Sequence, residues 1–123
     1  MSLRGLVPVA ALMACCIAQQ RQVDSPFACN LKALTSAERK QHEQLTVMLF
    51  TSTVERRELP DGYAFRFPAA ISMSKLAQWV DNERKCCPFF DFQLEQGREQ
   101  GALWMRLTGR AGVKQFIREE FRF

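Results

Sequence analysis

Cys86 and Cys87 stand side by side, and Pro88 follows them directly. Thiolates are both nucleophiles and soft metal ligands. On a regular helix, consecutive side chains diverge by about 100°, so a helical Cys-Cys pair cannot aim at one point. A helix end loosened by Pro88 gives the pair that freedom. A third sulfur, Cys29, comes from a distant segment. Together the three form a soft donor set suited to thiophilic ions such as copper(I), mercury(II) or arsenite. Zinc also fits if Glu83 or His42 supplies a fourth ligand. The sequence thus points to a small thiol-containing binding protein whose partner is a soft metal ion or small molecule, with Cys86, Cys87, Cys29 and Glu83 as candidate ligands.

Two rival readings use the same residues. Free cysteine is among the most buried residue types and packs as a small hydrophobe, so the three thiols also suit a structural or interaction module with a cysteine-containing core. A thiol-dependent redox enzyme is the third. It is disfavoured by position, because the C-terminal end of a helix carries partial negative charge, which opposes a thiolate. In an oxidising compartment Cys29 can bridge to one member of the pair; in a reducing one all three are free.

The remaining candidates are weaker. His42 is the only histidine, and no nucleophile lies near it in the sequence; it reads as a surface or boundary residue, and no catalytic residue is assigned. Glu83 falls within an apolar helical stripe, where a carboxylate needs a compensating partner; Arg106 and a ligand are the alternatives. The run Gly109-Arg110-Ala111-Gly112-Val113-Lys114 resembles a phosphate-cradling loop but lacks the GxxxxGK[ST] pattern. It reads as a tight strand-to-helix turn with Lys114 exposed.

These side chains must be positioned by a small number of elements. Thr35 with Glu38 three residues later is a capping box opening a helix that ends between Phe50 and Thr53, with Leu45 and Leu49 inward. Pro60-Asp61-Gly62 separates two strands, 54–59 and 63–67, with Tyr63, Phe65 and Phe67 sharing one face. Ser72 or Ser74 caps a second helix bearing Leu76, Trp79, Val80 and Cys87 on one face. Phe90, Phe92 and Leu94 alternate with polar residues, as do Leu103, Met105 and Leu107, which predicts a second hairpin. Val113, Phe116, Ile117 and Phe121 make the apolar face of a closing helix. The expected fold is α+β, a four-stranded antiparallel sheet with helices packed on one face in the order α-β-β-α-β-β-α.

Two strings carry a resemblance. Glu83-Arg84-Lys85-Cys86-Cys87-Pro88-Phe89-Phe90-Asp91-Phe92 and Leu107-Thr108-Gly109-Arg110-Ala111-Gly112-Val113-Lys114-Gln115-Phe116 are similar to those of small uncharacterised bacterial proteins sharing an ERxCCPFxxF motif followed by TGxxGxKxF. The likeness spans residues 29–121. It implies a domain boundary near Cys29 and brings no activity with it.

Length and charge bound the rest. A chain of 123 residues has room for one core, and 47% apolar residues, with ten Phe and two Trp, can fill it. The net charge of +4 is spread as basic pairs beside acidic neighbours, without the clustered stripe that nucleic-acid binding needs. Residues 6–18 form an apolar run after Arg4, shorter than the roughly 20 residues of a membrane span and suited to an export leader. Leu12-Met13-Ala14-Cys15 resembles a lipobox and Cys16-Ile17-Ala18 an ordinary cleavage site. The expected organisation is a leader (1–18, signal or lipoprotein type), a linker (19–28) and one domain (29–123). The chain would be exported, periplasmic or lipid-anchored, with a cytoplasmic protein as the alternative. Any membrane contact would be through the lipid anchor.

Overall fold

Thr35 begins the first helix, α1 (Ser36–Ser52). Its hydroxyl accepts the Glu38 N–H at 3.1 Å while the Thr35 N–H donates to Glu38 Oε1 at 3.1 Å, so two backbone donors that a helix start leaves orphaned are satisfied reciprocally. The Lys85 ammonium adds a third contact to Glu38, at 3.0 Å. The backbone N–H, then Lys85, hold the Glu38 carboxyl down at about 2.

The computed structural model describes residues 25–123 together with Gly5. After a single 3-10 turn at Leu31–Ala33, the order is α1, β1 (Glu55–Leu59), β2 (Gly62–Phe67), α2 (Met73–Cys86), β3 (Asp91–Gln96), β4 (Leu103–Thr108) and α3 (Val113–Phe121). This is the α-β-β-α-β-β-α succession expected from the hydrophobic periods. The four strands form one antiparallel sheet in the order β1-β2-β4-β3. The expected leader, Gly5 apart, and residues 19–24 lie outside the described residues. No helix among the described residues is long and apolar enough to cross a membrane.

Strand alternation sorts the sheet into two faces. Tyr63, Phe65, Phe67, Leu103, Met105 and Leu107 are buried under the helices, while Ala64, Arg66, Trp104 and Arg106 belong to the opposite face. Leu49, Leu76, Trp79 and Ile117, all fully buried, complete the core from the helices.

Helices α1 and α2 run antiparallel, and three successive turns of one meet the other through polar atoms. Glu38 pairs with Lys85, the His42 ring with the Glu83 carboxylate, and Thr46 Oγ1 accepts from Trp79 Nε1 at 2.8 Å. Steps of four residues along α1 are one turn each, so a single stripe of the helix makes all three contacts. They fix the sliding register of the two helices, which apolar packing alone leaves loosely specified.

The glycine-rich turn before α3 serves a structural end. Gly112 has φ of 98°, a left-handed conformation that disfavours any Cβ, and a Cβ there would meet Phe27 Cε2 at 2.8 Å. The Arg110 guanidinium lies 4.1 Å from the Phe27 ring centroid and donates to the Ser25 carbonyl. Phe27 also packs edge-on to Phe89 and stacks with Phe116. Residues 25–28, part of the segment expected to be a linker, therefore lie strapped across the domain. Lys114 is not exposed as expected but half-buried, with its ammonium 2.5 Å from Glu58.

Because Gly112 combines a left-handed backbone with contact to Phe27, Gly112→Ala is expected to lower the free energy of unfolding by about 1–2 kcal/mol. Urea denaturation monitored by tryptophan fluorescence checks this; an unchanged midpoint would mean that the strap contributes nothing to stability.

Candidate functional site

The cysteine pair sits where α2 stops. Leu76, Trp79, Glu83 and Cys86 are all buried on one side of α2, so Cys86 continues the apolar stripe, the position expected for Cys87. Cys87 is instead the C-cap, with φ of −125°, and its N–H donates to the Glu83 carbonyl at 2.7 Å. Pro88 prevents another turn, since it has no N–H and disfavours α conformation before it. Leaving the helix at Cys87 frees its side chain from the 100° rule, and both sulfurs end up inside the protein, 3.6 Å apart.

Cys29 reaches the same point from the N-terminal strap. It is disulfide-bonded to Cys87, with Cα atoms 4.7 Å apart, while Cys86 remains a buried free thiol. The adjoining backbone is tied down as well, the Asn30 N–H donating to the Cys86 carbonyl at 2.7 Å. Closing a loop with 58 residues of sequence separation stabilises the fold by about 4 kcal/mol in the chain-entropy model.

Glu83 and His42 complete the cluster. Glu83 is 4% exposed and His42 6%, so both belong to the interior. His42 is thus not the surface or boundary residue expected, and its sequence spacing carried the signal: it lies three residues before Leu45 and seven before Leu49, on the buried face of α1. The His42 ring also stacks on Trp79 with centroids 5.7 Å apart. Glu83 finds its partner in His42 Nε2, not in Arg106, which β4 carries on the sheet's far face beside Gln93 and Ala64. Nδ1 of His42 is buried without a hydrogen-bond partner.

All four sequence-designated ligands therefore converge, joined by His42. Two overlapping donor groups have their ligand atoms within 4.8 Å of one another: Cys29, Glu83 and Cys87, and His42, Glu83 and Cys86. Glu83 is common to both. They lie along a cavity of about 290 Å³ whose wall also includes Glu43 and Glu120. Leu31 and Val47, 48% and 64% exposed, also line it. These groupings can hold a metal ion; in the disulfide-bonded state Cys29 and Cys87 are not thiolate donors.

Electrostatics keep the proton on Cys86. Burial, then the nearby Glu83 carboxylate, pushes its thiol up to about 12 from an ordinary 9.0. Glu120, on α3, is likewise raised, by desolvation first and by Glu83 second. A thiol held this high is a poor nucleophile at neutral pH.

Iodoacetamide is therefore expected to label Cys86 in the folded, disulfide-bonded protein at pH 8 roughly 100- to 1,000-fold more slowly than in denaturant, following the loss of thiolate. Glu83→Gln should recover part of that rate, because it removes charge but not burial. Mass spectrometry over time checks both; equal rates in the folded and unfolded chains would contradict the electrostatic account. Comparison with known proteins finds no matching family model, no matching curated protein and no matching solved structure.

Proposed function

We propose that the reduced chain captures a soft metal or metalloid ion through Cys29, Cys86 and Cys87, with Glu83 beside them. The observation that carries this reading is the meeting of three sulfurs: Cys86 Sγ lies 3.6 Å from Cys87 Sγ, which is itself bonded to Cys29. Sulfurs held at about 2.3 Å by one ion lie about 3.8 Å apart, so little rearrangement separates the present spacing from that of a shared ligand. Arsenite and mercury(II) suit three thiolates best, with copper(I) and zinc as further members of the thiophilic set.

The chemistry balances with a dithiol as reductant. The dithiol becomes a disulfide, the Cys29–Cys87 bond breaks, and each sulfur gains a proton. Three thiols then condense with arsenous acid: three S–As bonds form, three As–O bonds break, and three waters leave. Export, the expectation from residues 6–18, would place the chain where the disulfide is the resting state and where a dithiol supply governs opening. The resemblance to CCPF-containing bacterial proteins is consistent with this reading and does not carry it.

A second reading has its own support. Cys86 and Cys87 are 1% and 0% exposed, as a purely structural cross-link with a core thiol requires. Thiol catalysis is the weaker alternative, since Cys86 is held protonated.

Binding separates these readings. After reduction by a phosphine and desalting, the full chain is expected to bind one arsenite, with three of its five thiols, Cys29, Cys86 and Cys87, lost to Ellman's reagent. Cys86→Ser should weaken binding at least about tenfold, ~1.4 kcal/mol, leaving only two sulfurs. Circular dichroism confirms that the reduced proteins are folded. A folded reduced chain that binds neither arsenite nor mercury(II), or a Cys86→Ser variant that binds as the parent does, would establish the structural reading instead.

A further inference from the structure

We infer that the disulfide-bonded form contains a second, chemically different metal site, in which His42, Glu83 and Cys86 bind a borderline divalent cation of the zinc type. This inference does not rest on capture of a soft ion by three sulfurs, because it concerns the state in which two of those sulfurs are joined.

The donors are already assembled. Ligand atoms of His42, Glu83 and Cys86 lie within 4.8 Å of one another, and all three residues are buried. Cys86 Sγ is 4.0 Å from Glu83 Oε2. In a tetrahedral site with metal–ligand lengths of about 2.0–2.3 Å, ligand atoms lie ~3.3–3.8 Å apart. The sulfur–carboxylate separation is close to that value. The His42–Glu83 pair is in direct contact instead, as expected where a hydrogen bond does the work that an ion would otherwise do, and a small opening of that pair admits a cation.

Two further observations point to a ligand rather than to a closed ion pair. His42, only 6% exposed, leaves Nδ1 buried with no hydrogen-bond partner, an arrangement that costs free energy in a purely structural role. Charge is the other. The cavity that holds the three donors is lined by Glu43, Glu83 and Glu120, and no lysine or arginine is among its lining residues, in a chain whose net charge is +4. A basic protein that keeps one cavity free of lysine and arginine and lines it with carboxylates and an imidazole offers surroundings that favour a cation. Glu120, contributed by α3, lines the same cavity outside the three-donor group. One nitrogen, one sulfur and carboxylate oxygens form a mixed donor set that suits Zn(II) better than Cu(I) or As(III), which prefer sulfur alone, and better than Mg(II) or Ca(II), which prefer oxygen alone.

Glu83 and Cys86 belong to both sites, so oxidation state selects between them. With the Cys29–Cys87 bond intact, the available donors are N, O and S. With it reduced, three sulfurs dominate and the preference turns to softer ions.

Cobalt(II), as a spectroscopic substitute for zinc, tests the inference without reductant on the full chain carrying Cys15→Ser and Cys16→Ser, which removes the two cysteines outside the described residues. One Co(II) per chain is expected, with a thiolate-to-cobalt charge-transfer band in the near ultraviolet. Cys86→Ser should abolish that band, and His42→Gln should weaken binding by at least about tenfold. Zn(II) should displace the Co(II). The double variant Cys29→Ser/Cys87→Ser keeps all three donors and should still bind Co(II) while losing tight arsenite binding, so the two sites fail independently. Thermal melts confirm that each variant is folded. Absence of Co(II) binding by the oxidised chain at millimolar concentration, or a charge-transfer band that survives in folded Cys86→Ser, would overturn the inference.

Discussion

A carboxylate inside an apolar helix interface is the constraint on which the rest depends. Burying Glu83 strips its water, and an ionised carboxylate without compensation costs several kcal/mol. The chain meets that cost with His42 from the facing helix, and this choice sets much else. It fixes the register of α1 against α2, reinforced one turn away on each side by Trp79–Thr46 and by Lys85–Glu38. It also leaves a half-satisfied imidazole and a nearby thiol at the inner end of a cavity. An interface built only for stability would be served as well by aliphatic residues at positions 42 and 83.

The same carboxylate decides what sulfur can do there. Glu83 and the negative end of α2 both oppose a thiolate at Cys86, which works against nucleophilic chemistry. Neither opposes a metal–thiolate bond in the same way, because the cation that replaces the proton brings its own positive charge into the carboxylate field. Negative surroundings thus discriminate between the two uses of a cysteine. The helix-end position weighs against a redox enzyme and is compatible with ion capture.

Most of the fold was legible because its signals are local. The Thr35–Glu38 capping box, the turn at Pro60-Asp61-Gly62, and the alternations at Tyr63–Phe67 and Leu103–Leu107 each specify an element without reference to distant residues. Glu83 was legible as an anomaly, a charge within a stripe, but its partner was not: Arg106 has the complementary charge, and only strand alternation within the assembled sheet places it on the wrong side. His42 lay at helical spacing from Leu45 and Leu49, yet a lone histidine looks the same in sequence whether it faces water or core. The Cys29–Cys87 pairing required knowing that Cys87, as the cap, turns away from the stripe that Cys86 continues.

The N-terminal strap links these chemical and structural roles. Cys29 reaches the cluster because Phe27 is held among Phe89 and Phe116 beneath Arg110, and because Asn30 donates to the backbone of Cys86. Those contacts do not need the disulfide. In the reduced chain they would keep Cys29 near its partners and, in the capture proposed above, limit the entropy lost on closing three sulfurs around one ion. Gly112, by admitting Phe27 where any Cβ would intrude, therefore bears on the sulfur site from outside it: a turn with the outline of a phosphate loop serves instead to dock the segment that supplies the third sulfur.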